Sequence, residues 1–207
     1  MMKNKRRFRN YEKGRCSNRK RGHNYFSKGI YFITICTQNR KHLFGQVIGD
    51  RVELNALGKI VESEWKATQD KRANFQVHDF VIMPNHLHGL VEITESNSNY
   101  VHPEFKSQSN SIGAMIRGFK GASTLKILDF IRNNNFVWES DGIQLDESSS
   151  YLRSFVPVQN VEICRMGGSD KIWQRNFYDV IIESEYHLQQ VRKYIQENPS
   201  RWSLRSI

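Results

Sequence analysis

Cysteine is scarce in this chain. The three present, Cys16, Cys36 and Cys164, stand far apart without C-x-x-C spacing and leave an odd count. Neither a disulfide framework nor a structural zinc site is expected, and a reducing cytoplasm fits. Long apolar runs are also missing: none approaches the ~18 residues that cross a bilayer. The opening stretch MMKNKRRFRN has charges with no apolar region behind them, which argues against a secretory signal. No G-x-x-x-x-G-K-[ST] loop occurs, so phosphate-cradling chemistry of that kind is not expected. No repeat with a period of 20–50 residues is visible. What remains is a chain of 207 residues, 38% hydrophobic and 12% aromatic. That is too apolar for a disordered protein and long enough for one domain with a real core.

Acidic residues are nearly absent from the amino-terminal part. Residues 1–28 hold 11 of the 31 basic residues and one of the 21 acids, Glu12, so the net charge of +10 resides there and the remainder balances. Gly, Asn and Ser are interleaved with Arg6, Arg7, Arg9, Arg19, Lys20 and Arg21. The segment reads as a flexible basic arm over 1–24 that attracts a polyanion, with Tyr11, Tyr25 and Phe26 available to stack an unpaired base. A solubilising tail has the same composition, and the choice depends on matching chemistry in the body.

From residue 29 onward the pattern changes. GIYFITICTQ (29–38) alternates β-branched and aromatic residues as a strand does, and 42–54 reads as a hairpin turning near Gly49-Asp50. Asn55 is placed to cap a helix in which Leu57, Ile60, Val61, Glu64, Trp65 and Thr68 recur near helical spacing. FQVHDFVIMP (75–84) and HLHGLVEIT (86–94) form a second strand pair, broken at Pro84-Asn85. A polar loop over 95–111 leads to a helix at 111–132, with Ile112, Met115, Ile116, Phe119, Leu125, Leu128 and Phe130 as its apolar face. Residues 133–170 read as a long excursion. KIWQRNFYDVIIES (171–184) leads as loop or strand into a helix over 185–198 that Pro199 ends. Mixed strands and helices with antiparallel hairpins make α+β in a single domain the expected class, with a body over 25–202 and a tail at 203–207.

The chemistry concentrates in two places. In PNHLHG, His86 and His88 project from one strand face while Leu87, Gly89, Val91 and Ile93 form the opposite, core-facing row. Two adjacent imidazoles can bind one metal ion, and Gly89 leaves room for a backbone or ligand to approach. Two histidines on a solvated face are equally common, so the spacing leaves both readings open. The other five histidines (His23, His42, His78, His102, His187) form no second His-x-His copy, which weighs against a two-histidine phosphodiesterase. On the final helix, Leu188, Val191 and Ile195 form a packed stripe, and His187, Gln190, Tyr194 and Asn198 form an adjacent one. Taken alone, that pattern reads more readily as a boundary tyrosine with a polar last turn.

Four stretches in combination, YFITICTQNRKHLFG, FVIMPNHLHGLVEI, SIGAMIRGFKGASTLKI and WQRNFYDVIIESEYHLQQVRKYIQENP, resemble the REP-associated tyrosine transposases, within the insertion-sequence type of single-tyrosine HUH transposases. The resemblance spans roughly residues 25–202 and rests on PNHLHG paired with the YIxxNP ending. It implies a ferredoxin-like domain with a central antiparallel sheet. It further implies His86, His88 and Asn198 as ligands of Mg2+ or Mn2+, and Tyr194 as the nucleophile. The implied reaction is cleavage and rejoining of single-stranded DNA near hairpins through a 5′-phosphotyrosine. A free phenol ionises near pH 10, so a cation or proton acceptor must assist it. Hairpin DNA is the implied partner, a homodimer a further one, and the cytoplasm, on the nucleoid, the implied location. Arg117 and Lys120 on the glycine-containing helix are the next DNA-contact candidates after the arm. Tyr178, in WQRNFYD, is the competing nucleophile, ranked lower because no amide follows it by four residues. The alternative is a non-cleaving protein that binds hairpin DNA or RNA, for which the His-His-Tyr-Asn set would be superfluous. A replication initiator or relaxase shares the chemistry, but the short chain without a helicase region favours a transposase.

Overall fold

The stretch GIYFITIC, with a branched or aromatic side chain at nearly every position, forms strand β1, Gly29–Cys36. The computed structural model describes residues 23–95, 111–133, 136–138, 155–157 and 171–203. The basic arm through residue 22, most of the 133–170 excursion and the tail from residue 204 lie outside the described residues. Strands β2 (Gly45–Ile48) and β3 (Arg51–Leu54) pair as the expected hairpin, and its turn uses Gly49 at φ 62°. Helix α1 (Ala56–Asp70) begins at Asn55, whose side chain accepts from Gly58 N–H at 2.9 Å and donates to the Leu43 carbonyl at 3.0 Å. Strands β4 (Phe75–Met83) and β5 (His86–Ile93) follow, joined at Pro84-Asn85. Helix α2 (Ile112–Asn133) precedes a small antiparallel pair, β6 (Phe136–Trp138) with β7 (Phe155–Pro157). The chain closes with β8 (Tyr178–Ile182), α3 (Glu185–Gln196) and α4 (Asn198–Ser203).

The main sheet has strand order β4-β5-β1-β8, with every neighbouring pair antiparallel. Setting the small hairpins aside, the sequence β1-α1-β4-β5-α2-β8 is the split βαβ arrangement of ferredoxin-like domains. The α+β class and the antiparallel sheet expected from sequence are thus present. Strand alternation gives the sheet two faces with different covers. Tyr31, Ile33, Ile35, Leu87, Val91 and Ile93 face α1 and α2 and form the main core with Val61, Trp65, Met115 and Phe119. Ile30, Phe32, Val81, Leu90 and Ile182 face the other way, against the Leu188, Val191 and Ile195 stripe of α3. No helix among the described residues is long and apolar enough to cross a membrane.

Four expectations need correcting. The space left by Gly89 is filled by protein: a Cβ there would lie 2.6 Å from Trp65 Cζ2, so the indole of α1 packs against the strand. Tyr25 is 7% exposed and belongs to the core beside Tyr31, so its ring is unavailable to a base. On α2, Leu125 is exposed, and the buried row after Phe119 runs through Ser123, Ile127 and Ile131 at strict four-residue spacing. Pro199 does not end the final helix from outside. Helix α3 stops at Gln196, and Pro199 occupies the first turn of α4, where its missing N–H is tolerated.

Candidate functional site

His86 and His88 open β5 on the face that α3 covers, and each is 6% exposed, so the solvated-face reading does not hold. Each ring is held through Nδ1. The Oδ1 of Asn85 lies 2.7 Å from His86 Nδ1 and accepts a hydrogen bond from its N–H. Thr34, the β1 partner of His88 across the ladder, places Oγ1 2.8 Å from His88 Nδ1. The two ring centroids are 4.5 Å apart, and Phe32 stacks on His88 at 5.2 Å. Fixing Nδ1 in this way orients Nε2 as the outward donor, the usual support for a metal-binding imidazole. Burial, then the neighbouring His86, then the Arg40 charge push His88 down to about 3, so it is neutral at physiological pH.

Tyr194 arrives from α3. Ser184 caps this helix by accepting from His187 N–H at 3.1 Å, and the buried stripe pins it to the sheet. One position beyond that stripe's margin, the Tyr194 hydroxyl reaches His88 Nε2 at 3.3 Å. A neutral His88 whose Nδ1 proton goes to Thr34 accepts that hydrogen bond. The phenol ring sits edge-on to Phe32 at 5.9 Å, and the Arg201 guanidinium lies 5.7 Å above it. Arg201 is itself anchored to Glu197 at 2.6 Å. Asn198 is 7% exposed and begins α4, one turn before Trp202 on the same helical face. Trp202 packs against His86 at 5.7 Å and His42 at 5.4 Å, so α4 closes over the first histidine. All these groups come from one chain.

The donor set fits a divalent cation in part. Two imidazoles with anchored Nδ1 atoms are a ready pair. Among the described residues, His, Cys, Asp and Glu alone form no group of three suited to a metal ion. Asn198 is the buried amide on the helix that covers His86.

The remaining candidates fall elsewhere. Arg6, Arg7, Arg9, Arg19, Lys20 and Arg21 lie outside the described residues. Arg117 is exposed on α2, in the layer on the far side of the sheet from Tyr194. Lys120 turns inward. Its ammonium donates to the carbonyls of Gln174, Arg175 and Asn176 at 2.8, 3.4 and 3.0 Å, and burial pushes its pKa down to about 8. It braces the segment ahead of β8 and has no proton left for phosphate. Sequence reasoning missed Thr34, Asn85, Trp202 and Arg40. Asn85 does double duty, since its Nδ2 donates to the Arg40 carbonyl at 3.2 Å. Asn39 and Arg40 adopt left-handed conformations at φ 55° and 57°, a strained pair that brings Arg40 to the rim of the site.

No family model matches the chain. It is 32% identical over 198 residues to an uncharacterised protein of Haemophilus influenzae, spanning 91% of this chain and 89% of that one. Its fold is similar to a REP-associated tyrosine transposase solved bound to a REP hairpin, with a TM-score of 0.49, 16% identity and coverage of 88% and 74%. A candidate transposase of Deinococcus radiodurans R1 is similar at a TM-score of 0.41 and 13% identity, with 86% and 96% covered.

Proposed function

We propose, for a chain that belongs to the same family as the Haemophilus influenzae protein, a metal-assisted strand transfer on single-stranded DNA near hairpins, with Tyr194 as nucleophile. The observation that carries this reading is the 3.3 Å contact of the Tyr194 hydroxyl with His88 Nε2, beside a second oriented imidazole. A phenol set beside paired metal-type donors serves no packing purpose that phenylalanine would not serve equally.

In this reading Tyr194 Oη forms a bond to the scissile phosphorus while the bond from phosphorus to the 3′ oxygen breaks. The 5′ side remains on the enzyme as a phosphotyrosine, and the phenolic proton passes through solvent to the departing 3′ oxygen. Another 3′-OH reverses the step and rejoins strands without ATP, because the covalent link retains the phosphodiester. His86 and His88, through Nε2, and the Asn198 amide oxygen would hold Mg2+ or Mn2+, which when bound polarises the phosphate and offsets charge on the leaving oxygen. His88 is too weak a base, at about 3, to take the phenolic proton; its Nε2 lone pair holds the hydroxyl in the metal-free site and would pass to the cation once one is bound. Thr34 and Asn85 keep the two rings from rotating. Arg201, above the phenol, is placed to contact the phosphate.

The test is a labelled single strand carrying a hairpin, incubated with the protein and Mg2+ or Mn2+ and run on a denaturing gel. Wild type forms an adduct that EDTA abolishes. Tyr194→Phe forms none, and His86→Ala and His88→Ala reduce it at least about a hundredfold. An adduct of undiminished yield in Tyr194→Phe contradicts the assignment.

A further inference from the structure

Tyr178 is not on the nucleophile's helix, yet the strand register carries it to the same site. It pairs with Thr34, and Thr34 pairs with His88, so the three side chains form one row across β8, β1 and β5 on the α3 face. Val180 pairs with Phe32, which stacks on His88, and forms a second row beside the first. Strand β8 is the last of the sheet, and α3 covers Ile182 but leaves Tyr178 50% and Val180 45% exposed. An aromatic ring and an aliphatic neighbour are therefore presented to solvent two strands from a buried imidazole pair.

The surroundings are cationic. The two loops at this end of the sheet, 37–44 and 171–177, contain Arg40, Lys41, Lys171 and Arg175 and no acid. They are tied together: Gln38 N–H donates to the Ile172 carbonyl at 2.8 Å and Gln174 N–H to the Cys36 carbonyl at 2.9 Å. The Lys120 ammonium holds three carbonyls at 174–176, immediately before Tyr178. The ring thus stands on a braced segment, and ordering it on binding sacrifices little freedom.

We propose that Tyr178, flanked by Val180, is the stacking platform for an unpaired base of the strand that leads into the site, with Arg40 and Arg175 receiving its phosphates. A flat π-face beside cations, with the Asp179 carboxylate turned to the opposite face of the strand, is the recognition chemistry of single-stranded nucleic acid, with stacking supplying affinity and cations tracking the backbone. This inference rests on the DNA reading above and deepens it by naming where the strand lies. It gives Tyr178 a role as a positioning residue that forms no covalent bond.

The test uses the full chain in EDTA, where neither metal nor cleavage contributes, and follows anisotropy of a labelled unpaired deoxyoligonucleotide. Tyr178→Ala loses roughly fivefold or more in affinity, and Tyr178→Phe keeps wild-type binding. The salt slope is unchanged in Tyr178→Ala, whereas Arg175→Ala lowers it by about 0.7. One abasic position in the strand weakens wild-type binding, and that loss disappears in Tyr178→Ala. Equal binding by wild type and Tyr178→Ala overturns the platform even if the metal-dependent adduct still forms. A change of oligomeric mass in Tyr178→Ala without loss of DNA binding assigns the face to a second copy and overturns it too. A larger loss on RNA of the same sequence than on DNA overturns the choice of strand. An intact stacking signature with no adduct in metal leaves the platform standing and sinks the nucleophile.

Discussion

At the scale of single residues, the position most sensitive to a small change is Gly89. A methyl there meets the Trp65 ring at 2.6 Å, and the indole is fully buried with Phe119 against it at 5.0 Å. Gly89→Ala therefore destabilises by about 1–3 kcal/mol, read as a lower melting temperature with altered tryptophan emission. Glu64 is the other sensitive residue. Its side chain is 1% exposed, and it is held by Lys71 at 2.7 Å and by Lys126 of α2. Burial alone would raise its pKa, but the two lysines outweigh that and hold the carboxyl below its ordinary 4.5. A lowered folded-state pKa means the added stability is complete above pH 4.5 and drains away as pH falls toward and through the lowered value. Glu64→Gln should lose about 1–2 kcal/mol at neutral pH, a figure kept low because both lysines stay half-exposed. Its melting temperature should be flatter than wild type's across the acidic range. An identical acid profile would remove Glu64 as the cause.

At the scale of elements, the site is a matter of register. The period-2 alternation put His86 and His88 on one face, and the period-3.6 stripe put Leu188, Val191 and Ile195 against the sheet, so both were legible in the sequence. Thr34 was not, because its role depends on β1 pairing with β5, a contact 54 residues away. The buried row of α2 beyond Phe119 was misread because Leu125 and Leu128 look apolar wherever they point. The α3–α4 break was misread because proline stops a helix from within but starts one equally well. That break lets α4 turn back over His86. Register also yields a prediction: Thr34→Val keeps the strand but frees His88 Nδ1. It should weaken Mn2+ affinity or cleavage about 10–100-fold with little change in melting temperature. A variant as active as wild type would show that the ring needs no such support.

At the scale of the whole molecule, a ferredoxin-like sheet keeps its main apolar core under α1 and α2 and the His86, His88 and Tyr194 cluster under α3 and α4. Tyr194 and both imidazoles come together within one chain. The surplus positive charge, which sequence places in residues 1–28, is joined by the acid-free loops at 37–44 and 171–177 bordering the site. The long-range field and the local rim then point the same way for a polyanion. The most direct measurement is peptide mapping of the trapped covalent complex after trypsin. The account predicts a nucleotide mass on the peptide Tyr194–Arg201, whose one tyrosine is Tyr194. The same mass on the peptide carrying Tyr178 and Tyr186, or on none, contradicts it.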